Sequence, residues 1–179
     1  MKNFLLIIFI TTSSFCHTIY LETSLTNNAK INELDYDLKI SSRIGYNTNI
    51  WKNTNTSVAI GFDFAIEPIT FEDIDIALNT FSLYAVPKYS ISKYFEWWCS
   101  LGFAFSDSEQ IDDNDTILKD GPVYGFGLTY NINKKIGINL GYFVEDYSIE
   151  TTSLQNAHAI VQKNSFEIMR SSLQLAYSF

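Results

Sequence analysis

The sequence predicts an all-β fold, a transmembrane antiparallel up-and-down β-barrel of eight strands. Three observations carry this. Apolar and polar residues alternate over segments of about ten residues. The apolar face of those segments holds the bulky side chains, while the opposite face is rich in Gly, Ala, Ser and Asn. Short polar links also alternate along the chain with longer, mostly acidic ones. A soluble sheet turns its apolar face inward and its polar face to water. Bulk on one face and small residues on the other suit the inverse, with lipid outside and a narrow interior. No apolar run approaches the ~20 residues that a membrane-spanning helix needs.

The elements follow in order along the 179 residues. Lys2, the apolar FLLIIFI (Phe4 to Ile10) and the small or polar TTSSFCHT read as an export signal over residues 1–16. Cleavage is expected after Cys16, with Ser14 at −3. A lipidated Cys16 is the alternative, opposed by Phe15, which is bulky where a small residue is expected, and by Ser13, which stands where an aliphatic one is usual. The barrel domain is then 17–179, and with Cys99 as its one cysteine it forms no internal disulfide.

The first strand comes from YLETSLT, near 19–26, whose pattern is weak but which an even strand count requires. LDYDLKISSRIGY, 34–46, reads as one strand. Leu34, Tyr36, Leu38, Ile40, Ile44 and Tyr46 face lipid, and Tyr36 and Tyr46 mark the two ends of that face. TSVAIGFDFAI (56–66) and FEWWCSLGFAF (95–105) repeat the pattern, as do YGFGLTYNI (124–132) and IGINLGYFVED (136–146). NTFSLYAVPKY (79–89) is noisier, and its Pro87 is expected at an edge or bulge. Ser165–Phe179 is the last strand. Ten steps of about 3.3 Å, tilted by about 40°, project to about 25 Å, the height of an apolar barrel band. A one-residue slip would send Asp37, Lys39 and Arg43 toward lipid, at about 2–4 kcal/mol for each Arg or Lys at the midplane. The links 91–94, 132–135 and 47–55 are tight or compact. Those at 27–33, 67–78, 107–120 and 148–164 are expected as loops on the opposite rim.

Parity places Glu22, Lys39, Arg43, Asp63, Lys88, Glu96, Glu145 and Arg170 inside. Such charges must be paired or hydrated. They form either a narrow porin-type channel for small solutes or an ion-pair plug. An eight-stranded barrel is just wide enough for side chains to fill, so the plug is the reading taken. No catalytic residue is expected. His158, in AHAIV, has no Ser two positions on, and a positioned base–hydroxyl pair is what activates a hydroxyl. Asp112, Asp113 and Asp115 lack the Gly and Glu spacing of a Ca²⁺ loop, so no metal and no cofactor are expected. Trp97, Tyr89, Tyr94, Tyr130, Tyr177 and Phe179 are read as an interfacial girdle rather than as sugar platforms. The net charge of −8 argues against nucleic acid.

VPKYSISKYFEWWCSLGFAFS, GPVYGFGLTYNINKKIGINLGYFVED and the terminal LQLAYSF, together with the export signal, resemble the small porin-like outer-membrane β-barrel family of Gram-negative bacteria, of OmpA/OmpX type. The resemblance covers essentially the whole mature chain. It implies an eight-stranded barrel in the cell outer membrane, surrounded by lipid and lipopolysaccharide. It also implies that Leu173, Leu175, Tyr177 and Phe179 form the signal read by the barrel assembly machinery. It leaves the activity open, since members serve as structural proteins, adhesins, narrow pores or lipid-modifying enzymes; the role expected here is structural or adhesin-like, with any extracellular partner meeting the long loops.

Overall fold

The computed structural model describes residues 16–70, 77–107, 115–155 and 158–179. The expected export signal, apart from Cys16, lies outside them, as do Asp112 and Asp113. The described residues form eleven strands: β1 (His17–Ile31), β2 (Leu34–Asp37), β3 (Ser42–Lys52), β4 (Thr56–Ala65), β5 (Ile69–Thr70), β6 (Ala77–Ser90), β7 (Phe95–Asp107), β8 (Asp115–Lys119), β9 (Gly121–Asn131), β10 (Ile136–Gln155) and β11 (His158–Ser178). Eight of them close a ring of antiparallel neighbours, β1, β3, β4, β6, β7, β9, β10 and β11. The seam is β1 on β11, in register from Thr18↔Ser178 to Ile31↔Phe166. At its lower end the His17 N–H donates to the Phe179 carbonyl at 3.1 Å, and the Phe179 N–H returns the bond at 2.9 Å. Among the described residues no edge of a ring strand is left for hydrocarbon, where unpaired backbone groups cost several kcal/mol each.

The rim that carries Phe179, here the near rim, is closed by three tight links whose chemistry is local. Asn53 Oδ1 accepts from the Thr54 N–H at 2.7 Å. Ser92 Oγ accepts from Phe95 at 3.1 Å, and Asn133 Oδ1 accepts from Lys135 at 2.8 Å and Ile136 at 2.9 Å. Side-chain oxygens that cap nearby amides are what make Asn and Ser turn residues. The link expected at 47–55 is shorter, because β3 runs on to Lys52.

Register between β6 and β7 runs from Asn79↔Asp107 to Ala85↔Leu101 and resumes at Lys88↔Trp98. The gap falls at Val86 and Pro87, since proline has no N–H to give. Pro87 thus sits inside a continuous strand whose register is unshifted and which pairs β4 at Val58, and not at the edge or bulge expected.

Four further expectations are corrected. The first strand is longer than 19–26, reaching Ile31 through a bulge between Ser24 and Thr26 that resets its parity. Tyr20, Glu22 and Ser24 are buried before the bulge, and Asn27 and Ala29 after it.

Second, 34–46 is not one strand. β2 pairs only with the far end of β1, and the chain kinks over 38–41 before β3. The Leu38 N–H donates to Asn27 O at 2.9 Å and the Lys39 N–H to Thr70 O at 3.0 Å. The kink turns Leu38 and Tyr36 inward and leaves Lys39 exposed. Burying a Leu is worth about 1.5–3 kcal/mol, whereas an inward Lys would need a counter-charge.

Third, 27–33 and 148–164 are not loops but paired hairpins. Asn32 (φ 47°) and Glu33 (φ 73°) form a two-residue turn of the primed kind, and β10 pairs β11 out to Gln155↔His158. Fourth, the links 67–78 and 107–120 contain the short strands β5 and β8.

At the far rim the wall thus continues beyond the membrane band. It forms a five-stranded sheet in the order β2–β1–β11–β10–β8. On β10 the outward residues change from Ile138, Leu140 and Tyr142 to Asp146, Ser148 and Glu150. About 30 Å of strand extends past that change, at about 3.3 Å per residue.

The outer surface below is predominantly apolar. Leu101, Phe126, Phe103, Leu175 and Leu140 are each more than half exposed. Ring contacts run obliquely across it from Tyr46 to Phe62 (5.7 Å between centroids), Phe81 (6.1 Å) and Phe105 (6.0 Å).

Candidate functional site

The inward positions of each barrel strand, read from far rim to near rim, build the lumen in layers. On β10 they are Tyr147, Glu145, Phe143, Gly141, Asn139 and Gly137. On β11 they are Phe166, Ile168, Arg170, Ser172, Gln174 and Ala176. Neighbouring strands place like with like. The top layer is an apolar cap in which Ala29, Leu38, Ile69, Leu78, Ala104, Leu118, Val123, Tyr147, Phe166 and Ile168 are all buried, with Ile31, Tyr36 and Ile149 packed against them.

Beneath the cap lies a chain of five ionic side chains from five strands, Asp63–Arg43–Glu145–Arg170–Glu22. Arg43 Nε donates to Asp63 Oδ1 at 2.8 Å, and its Nη1 lies 3.6 Å from Glu145 Oε1. Arg170 Nη1 donates to that same Glu145 oxygen, and Arg170 Nε donates to Glu22 Oε1 at 2.8 Å.

Neutral groups add to the coordination, which leaves Arg170 Nη2 without a hydrogen-bond partner. The Tyr20 hydroxyl donates to Asp63 Oδ2 at 2.9 Å and the Tyr147 hydroxyl to Glu145 Oε2 at 2.7 Å. Gln174 Nε2 donates to Glu22 Oε2 at 2.6 Å. Thr80 and Ser82 accept from Arg43 at 2.6 Å and 3.2 Å. The five ionic groups are at most 3% exposed. Taking a lone ion out of water costs several kcal/mol, and only tight pairing with further hydrogen bonds offsets it. Alternation of sign along the chain supplies that pairing.

Below the ions, Trp98 and Phe143 pack with ring centroids 5.5 Å apart, and the Arg170 guanidinium stands 4.6 Å from the Phe143 centroid. Trp98 has room because its cross-strand partners in the same row are Gly127 and then Gly141. A Cβ on Gly141 would meet the indole at 2.8 Å. Tyr20, Tyr84, Ala59 and Val86 complete this shelf. A cavity of about 100 Å³ lies under it and opens at the near rim, lined in part by Lys88, Glu96, Trp98, Ser100 and Asn139.

Of the eight charges assigned to the lumen by parity, five therefore meet in one network: Glu22, Arg43, Asp63, Glu145 and Arg170. Lys88 and Glu96 point inward but line the cavity below, away from the five. Lys39 is corrected to the exposed far rim. His158 begins β11 rather than standing in a loop. The cap and the partners Tyr20, Tyr147 and Gln174 were not anticipated. Their signal was present in the continued parity of β10 and β11 past the membrane band. Leu173, Leu175, Tyr177 and Phe179 all lie on the outer face, between 37% and 56% exposed.

Residues 9–179 match the profile of the family described as "Outer membrane protein beta-barrel domain". Among curated proteins no sequence matches. Solved structures do. Ail, the attachment invasion locus protein of Yersinia pestis, is 16% identical, with 92% of this chain and 98% of that one covered and a TM-score of 0.55. OprG from Pseudomonas aeruginosa is 11% identical, covering 92% and 95%, with a TM-score of 0.53. AlkL in DMPC lipid bilayers is 13% identical, covering 92% and 90%, with a TM-score of 0.58. At such identities the likeness is one of fold.

Proposed function

The chain belongs to the outer-membrane β-barrel domain family, and from that premise we propose that it is a non-conducting barrel of the cell outer membrane whose role is structural and adhesive. Its export is attributed to residues 1–16, and its insertion to the barrel assembly machinery acting on Leu173, Leu175, Tyr177 and Phe179. The near rim is then periplasmic, and the five-stranded wall stands above the lipopolysaccharide. The observation that carries the reading is the filled lumen. A fully buried ionic chain lies under an apolar cap, so the strands present a surface instead of enclosing a passage.

Charge gives that surface a preference. The segments that join strands at the far rim (27–41, 66–79, 105–121 and 146–167) hold sixteen of the twenty Asp and Glu residues and four Lys. A basic extracellular partner fits such a field. A solved structure of Ail contains the heparin analogue sucrose octasulfate. The acidic wall proposed here selects the opposite sign.

The test has two parts. Refolded protein in planar bilayers should give no conductance steps, and reproducible steps would replace this reading with a channel. Liposomes carrying the protein should be retained on a surface coated with basic protein. Replacing the ten Asp and Glu residues of 66–79 and 105–121 by Asn and Gln should abolish retention while heat-modifiable migration persists. Retention unchanged by that neutralisation rejects the adhesive role.

A further inference from the structure

We propose that the cavity at the near rim is a binding site for a small anion, a phosphate or carboxylate group, seated on Lys88. The cavity is blind. The Tyr20, Tyr84, Trp98 and Phe143 shelf forms its floor, and its mouth widens between the turns to a space of about 700 Å³. Its charge is the reverse of the far rim's. Lys52, Lys88, Lys93 and Lys134 line the mouth, and among the described residues Glu96 is the one whose side-chain carboxylate lines either space.

Among the described residues, no carboxylate comes within 4.0 Å of the Lys88 ammonium to form an ion pair. Glu96 accepts instead from Ser90 Oγ at 3.3 Å. The wall keeps further polar capacity unused. Trp98 and Ser100 are each 5% exposed, and with Asn139 each has a sheltered side-chain atom that lacks a hydrogen-bond partner. Buried polar atoms without partners call for an explanation, and these three share one open cavity in which an occupant would satisfy them. About 100 Å³ holds roughly three waters at ~30 Å³ each, enough for one phosphate or carboxylate head.

In a site walled by the aromatic shelf, the attraction between an ammonium and an anion is several times that in bulk water. The fifth basic side chain, Lys135, lines the inner cavity. The shared chemistry is an anionic oxygen cluster, carried either by a free solute or by the headgroup of an inner-leaflet phospholipid. The site stands independently of what the far rim binds.

The experiment follows the indole N–H resonance of Trp98, assigned by Trp98→Phe, in barrels refolded in a non-ionic maltoside detergent. Titration with inorganic phosphate should shift it saturably, and sodium chloride at equal ionic strength should not. Lys88→Met should weaken the phosphate affinity at least tenfold, whereas Lys163→Met at the far rim should leave it unchanged. Lys134→Gln serves as a second reporter should Lys88→Met fail to fold, with a weakening of about threefold or more expected. The same resonance is then read in vesicles with and without phosphatidylglycerol in phosphate-free buffer. A shift already present with phosphatidylglycerol identifies a headgroup as the source, and a shift only on adding phosphate identifies a solute. A response that is linear, equal for chloride, or undiminished in both lysine variants overturns the site.

Discussion

Arg170 holds two carboxylates, Glu22 and Glu145, and Glu145 in turn lies between both guanidiniums. The five groups therefore contribute unequally. Removing Arg170 leaves three buried anions against one cation, and stranding a buried charge costs about 3–5 kcal/mol. Removing the charge of Glu145 leaves two cations and two anions, still joined as Arg43–Asp63 and Arg170–Glu22. Arg170→Met should thus destabilise the barrel by about 3–5 kcal/mol, and Glu145→Gln by distinctly less, as read from urea unfolding in lipid vesicles. A Glu145→Gln loss equal to that of Arg170→Met would refute the pairwise account. Parity alone identified these five as interior. It could not name their partners, because which inward residues meet across a barrel depends on strand tilt and stagger. It also could not separate Lys88 from the network, since parity fixes the face of a strand but not its height.

Turns and breaks between elements were the least legible part. Inside the lipid band one face must be apolar, so β4, β7, β9 and β10 could be read directly from TSVAIGFDFAI, FEWWCSLGFAF, YGFGLTYNI and IGINLGYFVED. Beyond the band both faces of a strand may be polar, and in Ser148–Asn164 the two-residue period fades although pairing continues. The kink at 38–41 hid for the opposite reason, since Tyr36, Leu38, Ile44 and Tyr46 keep an even spacing although the first two face inward. The β1–β2 turn offers a test. Glu33 sits at φ 73°, a left-handed conformation that costs a side-chain-bearing residue roughly 1–2 kcal/mol. Primed two-residue turns favour Asn-Gly, so Glu33→Gly should raise stability by about 1 kcal/mol, after the greater chain entropy of Gly is subtracted. The measurement is the urea midpoint in vesicles, and a lowered midpoint contradicts the turn assignment.

The molecule as a whole inverts the soluble pattern, and Cys99 lets that be measured. It lies on the outer face between the exposed Leu101 and Trp97, while Ser100, one residue on, is buried inside. In a Cys16→Ser background, a fluorophore on Cys99 should be strongly quenched by brominated acyl chains. One on Ser100→Cys, with Cys99→Ser, should not, and equal quenching would reject the inversion. The overall architecture was legible because lipid imposes the same demand on every strand. The filling was not, because the cap draws no more than two side chains from any one strand and no single segment displays it. The ionic chain takes one member from each of β4, β3, β1, β11 and β10, and so bridges the seam where the first strand meets the last. A partly assembled cylinder would present bare ions to oil, and neutralisation arrives only when the ring locks. Insertion of this protein is thereby driven toward a single concerted step, with half-formed intermediates selected against by their own electrostatics.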